Sequence, residues 1–527
     1  MESSDEGATQ PDAPKADTAR AAGRGGLAIA AAKVSFILVG FIQQLILPRV
    51  IDVDGFGAVS RMLSVVSIVN NVMVAMSIQG VSRVVAGAPK GEEPQAYRRA
   101  LTIHVVVAIT AATAFAAVAG EIARRIEAPQ AAIPLRIGAG VVLAYGVYAP
   151  IVGNLNGLKR FFDQAGLDIA YGWTRAILLV LGAWGAAHLL GFKGATGAAV
   201  GFVTAATLII PVAFWRAGFG KAGQGGTTIR GYLAYLGPLF VMQLGLNLLL
   251  QTDLLLMSQA AGAEARAMGL QGVALEKAAD EVVGIYRGVQ LFGFLPYQIL
   301  MSVQFVLFPM LARAQSEKDD AAIASYTRGG IRLALVITGL AAGVIAGLGP
   351  YVLRFAFPDK IAVNGADAIR IYAPGLGAFA ILGVASAALN SLRRVIASGI
   401  LTWLTAGLVY AAVTMTRPAH AFGKQLVDST ALATSCAMVA AAIVGAILLY
   451  RAAGAFASPW TLLRVLFAMG MTIALGMVMP WFGKLLVPVE ALVLGIGYVV
   501  ILIVTRELGA ADLDVLRRVI GRGKKPA

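Results

Sequence analysis

Long apolar runs alternate with short polar breaks along almost the whole chain. A helix needs about 20 mostly apolar residues to cross the hydrocarbon core of a bilayer. Runs of that kind fall at 27–50, 58–85, 100–120, 131–157, 167–190, 194–215, 231–258, 282–311, 330–350, 366–391, 395–416, 428–450, 461–482 and 485–505. The pattern therefore predicts an all-α polytopic membrane protein with about fourteen transmembrane helices. Residues 1–26, rich in Ser, Asp, Ala, Gly and Pro, read as a disordered tail. The first apolar run is too long for a signal-peptide core and continues to Arg49, so it is expected to stay as the first span. The longest connection, 259–281, sets Met268, Leu270, Val273 and Leu275 against Glu276, Lys277 and Asp280 and is expected to be a helical extension. The other loops are short, which leaves no room for an extramembrane domain.

The spans contain a repeat. Met76-Ser77-Ile78-Gln79 in the second span matches Met301-Ser302-Val303-Gln304 in the eighth, 225 positions on. Glu92 has its counterpart in Glu317 at the same offset, Tyr97-Arg98 resembles Tyr326-Thr327-Arg328, and Ala108-Ile109-Thr110 resembles Val336-Ile337-Thr338. The copies lie six spans apart and so share one orientation, which gives two parallel six-helix lobes, a known transporter plan. The lobes are expected at 27–220 and 221–451, followed by two appended, largely lipid-facing helices over 452–506 and a basic tail over 507–527.

Polar side chains inside spans are costly unless they face a cavity or a partner. At 100° per residue they form stripes. Lys33, Gly40 and Gln44 share a face of the first span; Ser60, Ser64, Ser67 and Asn71 share one of the second, with Arg61 beside it. Gln243, Asn247 and Gln251 follow at i, i+4 and i+8 in the seventh, Arg287, Gln290 and Gln298 lie together in the eighth, and Asp168, Gly172 and Arg175 align in the fifth. Stripes on the first two helices of each half predict a shared polar cavity between the halves; isolated Ser or Asn residues are more often interhelical hydrogen bonds. Asp253 and Arg287 each stand about five residues from the non-terminal ends of their spans, where they could pair or face a ligand. Pro150, Pro238, Pro296 and Pro374 are expected to kink their helices, and Gly339, Gly343 and Gly347 to mark close helix packing.

Composition sharpens this picture. The chain is 58% hydrophobic and 13% charged, with mean hydropathy +0.78, yet it carries a net charge of +15. About 26 of the 43 Lys and Arg fall on the side of the termini and about 15 on the other. The bias places both termini in the cytoplasm. Most of the excess charge reports orientation, and Lys33, Arg61, Arg175 and Arg287 remain as evidence for an anionic ligand. The lone Cys436 excludes an intramolecular disulfide, and His104, His188 and His420 have no metal-ligand spacing. The chain has no GxxxxGK[ST], GxSxG or HExxH sequence, so neither a nucleotide motor nor a hydrolase is expected. Its basic segments lack the fold context of a nucleic-acid module.

Residues Pro48 to Gly57, with Arg49, Asp52, Phe56 and Gly57, resemble the junction between the first two spans of polysaccharide-export flippases. These flippases belong to the multidrug/oligosaccharidyl-lipid/polysaccharide exporter superfamily. Gly284-Ile285-Tyr286-Arg287, Leu295-Pro296-Tyr297, Phe308-Pro309-Met310-Leu311 and Leu353-Arg354-Phe355-Ala356-Phe357 resemble the second half of that family. The resemblance spans about 27–450. Asp52 stands where a glycine is usual, and Lys33 where multidrug extruders carry an acid. The arginine-rich first span of lipid II flippases is absent.

The resemblance implies a bacterial inner-membrane flippase that moves a polyprenyl-diphosphate-linked oligosaccharide by alternating access. Lys33, Arg61, Arg175 and Arg287 would hold phosphates or acidic sugars. Gln44, Asn71, Gln243, Asn247, Gln251, Gln290 and Gln298 would bond sugar hydroxyls, and Asp253 would couple transport to a proton or sodium gradient. No cofactor or metal is expected. Expected partners are the anionic lipid-linked glycan, membrane lipids and polysaccharide assembly enzymes. The alternatives are an ion-coupled multidrug antiporter of the same fold, a lipid II flippase, or a membrane-embedded glycan polymerase, which would normally show a large outer loop or an acidic metal motif.

Overall fold

A bilayer offers the backbone no hydrogen-bond partners, so runs of this length must satisfy their own amides as helices. The computed structural model describes residues 15–223, 228–509 and 512, and the side chains of these except 15–24 and 302–306. Among the described residues the ordered elements are helices alone, and thirteen are long and apolar enough to cross a membrane. The first lobe comprises α1 (Lys15–Val50), α2 (Asp52–Ala86), α3 (Glu93–Arg125), α4 (Ala132–Gly157), α5 (Phe161–His188) and α6 (Gly194–Ala217). The second comprises α7 (Ile229–Leu249), α8 (Thr252–Ala267), α9 (Gly272–Gly293), α10 (Leu295–Glu317), α11 (Asp320–Gly347), the short α12 (Gly349–Ala356) and α13 (Asp359–Asn364), then α14 (Ala366–Ser391), α15 (Val395–Met415) and α16 (Lys424–Ala453). Two more helices follow, α17 (Pro459–Val478) and α18 (Val487–Val504).

The packing repeats as the sequence does. In the first lobe α2 and α3 lie on α4, α1 on α5, and α4 and α5 on α6. In the second, α9, α10 and α11 lie on α14, α7 and α8 on α15, and α14 and α15 on α16. The two lobes are thus parallel copies of one six-span arrangement.

The second copy differs by being broken. Its first span is α7 plus α8, bent at Leu250–Gln251, and its second is α9 plus α10, meeting at Phe294. Pro296 explains the latter break: it has no N–H for the Phe292 carbonyl and disfavours helical backbone before it. The expected span 282–311 is therefore two shorter helices. The connection 259–281 is helical on both sides of a turn at Met268–Gln271.

At the other end of the chain, α1 starts at Lys15, twelve residues before the expected span, because Lys15 to Arg24 is rich in strong helix formers such as Ala, Lys and Arg. Residues 1–14 of the expected tail, and 510–511 and 513–527 of the basic tail, lie outside the described residues. So do the side chains of Ser302 and Gln304 in the repeat motif.

α17 and α18 pack on α11 through the glycine stripe. Gly339 faces Tyr498 and Val465, Gly343 faces Met469 and Thr472, and Gly347 meets Gly476. Tyr498 also donates to the Val336 carbonyl at 3.0 Å and Tyr351 to that of Met479 at 2.7 Å. A Cβ on Gly476 would stand 2.7 Å from the Gly347 backbone. Gly476→Val should therefore pry α17 from α11 and destabilise the protein by roughly 1–3 kcal/mol, measurable as a lower Tm in detergent. At the end of the bundle that carries the termini, Arg332 bonds Glu507 at 2.8 Å and Asp512 at 2.9 Å. That guanidinium holds the Asp512 carboxyl below the ordinary carboxylate range.

Candidate functional site

Between α1, α2, α4 and α5 of the first lobe and the α9–α10 break of the second lies a cavity of about 490 Å3. Its wall brings together six of the residues expected to hold the ligand: Lys33, Gln44, Asn71, Arg175, Arg287 and Gln298. They meet because α1 and α2 turn their polar stripes toward α5, and because the break at Phe294 lets α9 and α10 each present a residue.

The cavity is cationic. Three cations, Lys33, Arg175 and Arg287, face it with one carboxylate, Asp168. Asp168 is engaged by Lys33, whose Nζ lies 3.3 Å away and whose side chain is 54% exposed. Among the described residues Arg175 has no ion-pair partner. Its guanidinium lies 4.6 Å over the Phe36 ring and 5.9 Å from that of Phe202, a cation–π seat that holds the group without neutralising it. Its buried Nε has no hydrogen-bond partner. Arg287 donates to Gln290 Oε1 at 3.2 Å, and its Nε is likewise buried and unpartnered. Buried donors are nearly always paired, so two guanidiniums with unspent donors mark a place for an anion.

Residues that sequence reasoning missed complete the wall. Tyr145 and Tyr148 of α4 and Tyr171 of α5 are packed edge-on and tilted, 5.3 to 6.0 Å between centroids. Gln43 and Asn70 add buried amides with unpartnered oxygens. The i, i+3 tyrosines of α4 were a visible signal, since hydroxyls one turn apart in a span seldom serve packing alone.

The other selected residues lie elsewhere, which corrects the single-cavity reading. Arg61 is 1% exposed and ion-paired with Asp280 where α2 meets α9, at the end of the bundle opposite the termini. A Cβ on Gly57 would collide with the Asp280 backbone and one on Gly284 with that of Val53, so the lobes touch there backbone to backbone. Lys193–Glu276 and Arg266–Glu127 pairs rim the same contact. Asp253 does not pair with Arg287. It is 3% exposed and accepts from Tyr286 Oη at 2.7 Å, Tyr372 Oη at 2.8 Å, Gln290 Nε2 at 3.0 Å and the Leu254 amide at 2.8 Å. Gln290, wholly buried, thus links Asp253 to Arg287 instead of lining the cavity.

The Gln243–Gln251 stripe is also divided. Asn247 accepts from Asn71 at 3.0 Å, a bond between lobes, and Gln251 sits in the α7–α8 bend with its Oε1 buried. Gln243 faces a different cavity. Gln243 and Asn247 lie on one unbroken helix and still meet different neighbours, while the bend at Leu250–Gln251 takes only Gln251 out of phase with them.

Toward the termini the lobes touch again. His104 of α3 bonds Ser77 of α2 at 3.0 Å and Tyr232 of α7 at 2.7 Å, and Arg83 lies 4.0 Å over the Tyr235 ring. The cationic cavity is therefore bracketed by lobe contacts at both ends. Among the described residues no cluster of His, Cys, Asp and Glu could hold a metal ion.

Residues 22–315 match the family model described as polysaccharide biosynthesis protein. The structure is similar to a lipid II flippase MurJ in an inward closed conformation, with TM-score 0.70 and 13% identity over 91% of this chain and 99% of the other. It is similar to an inward-facing multidrug resistance MATE family transporter of the MOP superfamily, with TM-score 0.59 and 16% identity over 80% and 94%. A MATE transporter in a straight conformation follows at TM-score 0.55, 15% identity, and 82% and 96%. No curated protein matches the chain in sequence.

Proposed function

The chain belongs to the polysaccharide biosynthesis protein family, and from that premise we propose that it is a flippase for a lipid-linked anionic glycan. The head group, a polyprenyl diphosphate bearing an oligosaccharide, enters the cavity while its lipid tail stays in the bilayer. The lobes then rock about the cavity, exchanging closure at one end for closure at the other. The excess of Lys and Arg at the terminal end supports cytoplasmic termini in a bacterial inner membrane.

The observation that carries this reading is the pair of half-buried guanidiniums, Arg175 and Arg287, which face the cavity with their buried Nε atoms unpartnered and with no carboxylate in ion-pair contact among the described residues. Such groups bind phosphate strongly because their N–H forks match its oxygens and the site is largely out of water. A cationic drug would meet repulsion there. Reconstitution into proteoliposomes with a labelled polyprenyl-diphosphate oligosaccharide tests it. Translocation of the head group is expected; cation efflux without any translocation of such lipids would replace the reading with that of a drug antiporter.

Asp253 is the proposed coupling group, because it is a buried carboxylate set at the break of a span and joined to Arg287 through Gln290. Asp253→Asn keeps an acceptor for the two tyrosines and removes the titratable, ion-binding charge. The substitution is expected to abolish the response of transport to an imposed proton or sodium gradient, while exchange down the substrate's own gradient persists. An unchanged gradient response in the variant would remove Asp253 from coupling.

A further inference from the structure

A second cavity, about 170 Å3, lies wholly within the second lobe between α7, α10, α14 and α15. These helices occupy the places that α1, α2, α4 and α5 hold around the cationic cavity, so the two cavities are counterparts under the internal repeat. Their chemistry differs. The wall of the second includes Gln243, Ser386, Asn390, Ser398 and Thr402 and, among the described residues, carries no Lys, Arg, Asp or Glu. The first turn of α10 stands between them, with Gln298 facing the cationic cavity and its neighbour Tyr297 facing the neutral one.

We propose that this neutral cavity is a subsite for an uncharged, hydroxyl-rich group: a sugar ring of the same head group whose diphosphate sits in the cationic cavity. The inference rests on the flippase reading above and extends it to a second site. Three features point to a polyol. Gln243 and Asn390 offer amides, each able to donate and accept, and the Asn390 Oδ1 is buried without a partner. Ser386 and Ser398 hydroxyls already bond each other at 2.6 Å, leaving a proton and lone pairs for a vicinal diol. Tyr297 and Phe379, 4.8 Å between centroids and tilted by 33°, supply an apolar platform for the C–H face of a ring. A cavity of this size has room for a single sugar ring.

The test separates the two sites on the full-length protein in detergent. Binding is measured for a short-chain polyprenyl diphosphate and for the same lipid carrying one N-acetylhexosamine. In the wild type the sugar is expected to tighten binding about tenfold, the worth of one or two net hydrogen bonds. Gln243→Leu and Asn390→Leu, which remove hydrogen bonding in an apolar setting at similar size, should each erase most of that gain and leave the sugar-free lipid unaffected. Arg175→Gln should weaken both lipids alike and keep their ratio. A sugar gain that is absent in the wild type, or retained in both Leu variants, overturns the subsite. Failure of either lipid to bind the wild type overturns the flippase reading itself, so the two failures are told apart.

Discussion

Charge reversal at Arg175 is expected to stop translocation of the lipid-linked head group, lowering the rate at least 100-fold while the protein remains folded. Among the described residues Arg175 has no carboxylate within ion-pair range, and its guanidinium is seated on Phe36 and lines the cavity. Asp168, two turns earlier on α5, is already occupied by Lys33. A phosphate about 4 Å from such a charge gains roughly 4 kcal/mol at an effective dielectric near 20. Arg175→Glu turns that gain into a repulsion of similar size, so even after halving for solvent in the cavity the loss exceeds two powers of ten.

Arg175→Lys keeps the charge and loses the planar fork and its stacking, and should fall between the two. The same loss is expected for Arg287→Gln, with a smaller amplitude because its charge is removed and not reversed. Flux assays in proteoliposomes, with size-exclusion profiles to verify folding, decide the matter. Wild-type rates in both Arg175→Glu and Arg287→Gln would strip the cavity of its assigned role.

Much of this arrangement was legible in the chain. Span length alone yields the bundle, because lipid leaves a long apolar segment no other conformation. The Met-Ser-x-Gln repeat pointed to the duplication that the helix packing displays. The left-handed backbone of Asp52, at φ +60°, explains why a glycine is usual at that junction and why an aspartate, which tolerates this region better than most residues, can replace it.

The site was legible only in part. Helical phase says which residues share a face: Lys33 and Gln44 line the cavity together, as do Ser67 and Asn71, because α1 and α2 are unbroken. It says nothing of what stands opposite. Arg61 read as a ligand group because its partner Asp280 is 219 residues away, in a stretch that looks like a polar connection. Gln290 read as a cavity amide because Asp253, which it bonds, and Tyr372, which shares that carboxylate, come from two other helices, α8 and α14. The bend that separates Gln243 from Gln251 carries no proline or glycine to announce it.

Removal of Arg61 should do more damage to the lobe contact than to ligand binding. Arg61 and Asp280 are 1% and 10% exposed in their side chains, and they meet where Gly57 and Gly284 allow α2 and α9 to touch along their backbones. A buried ion pair contributes little net stability as a pair, but loss of one member strands the other charge at a cost of roughly 3–5 kcal/mol. Asp280 sheds that cost by taking up a proton or by drawing in water, and the second route parts the lobes at this end. Arg61→Ala is therefore expected to favour a state open at the end opposite the termini. The shift would appear as a longer distance between spin labels at Asp52 and Lys277, placed in a Cys436→Ser background, and as a reduced transport rate. The exchange Arg61→Asp with Asp280→Arg should restore much of both, because the contact needs opposite charges and not a given order. Arg61→Met with Asp280→Leu should do the reverse of Arg61→Ala: an apolar pair packs without any desolvation cost, so the contact stays shut, labels remain close, and transport stalls in a protein at least as stable as the wild type. The three variants make the pair a device for opening, since an ion pair pulls apart into water more readily than a greasy seam. Equal label distances and equal rates in all three would show instead that Gly57 and Gly284 alone govern closure.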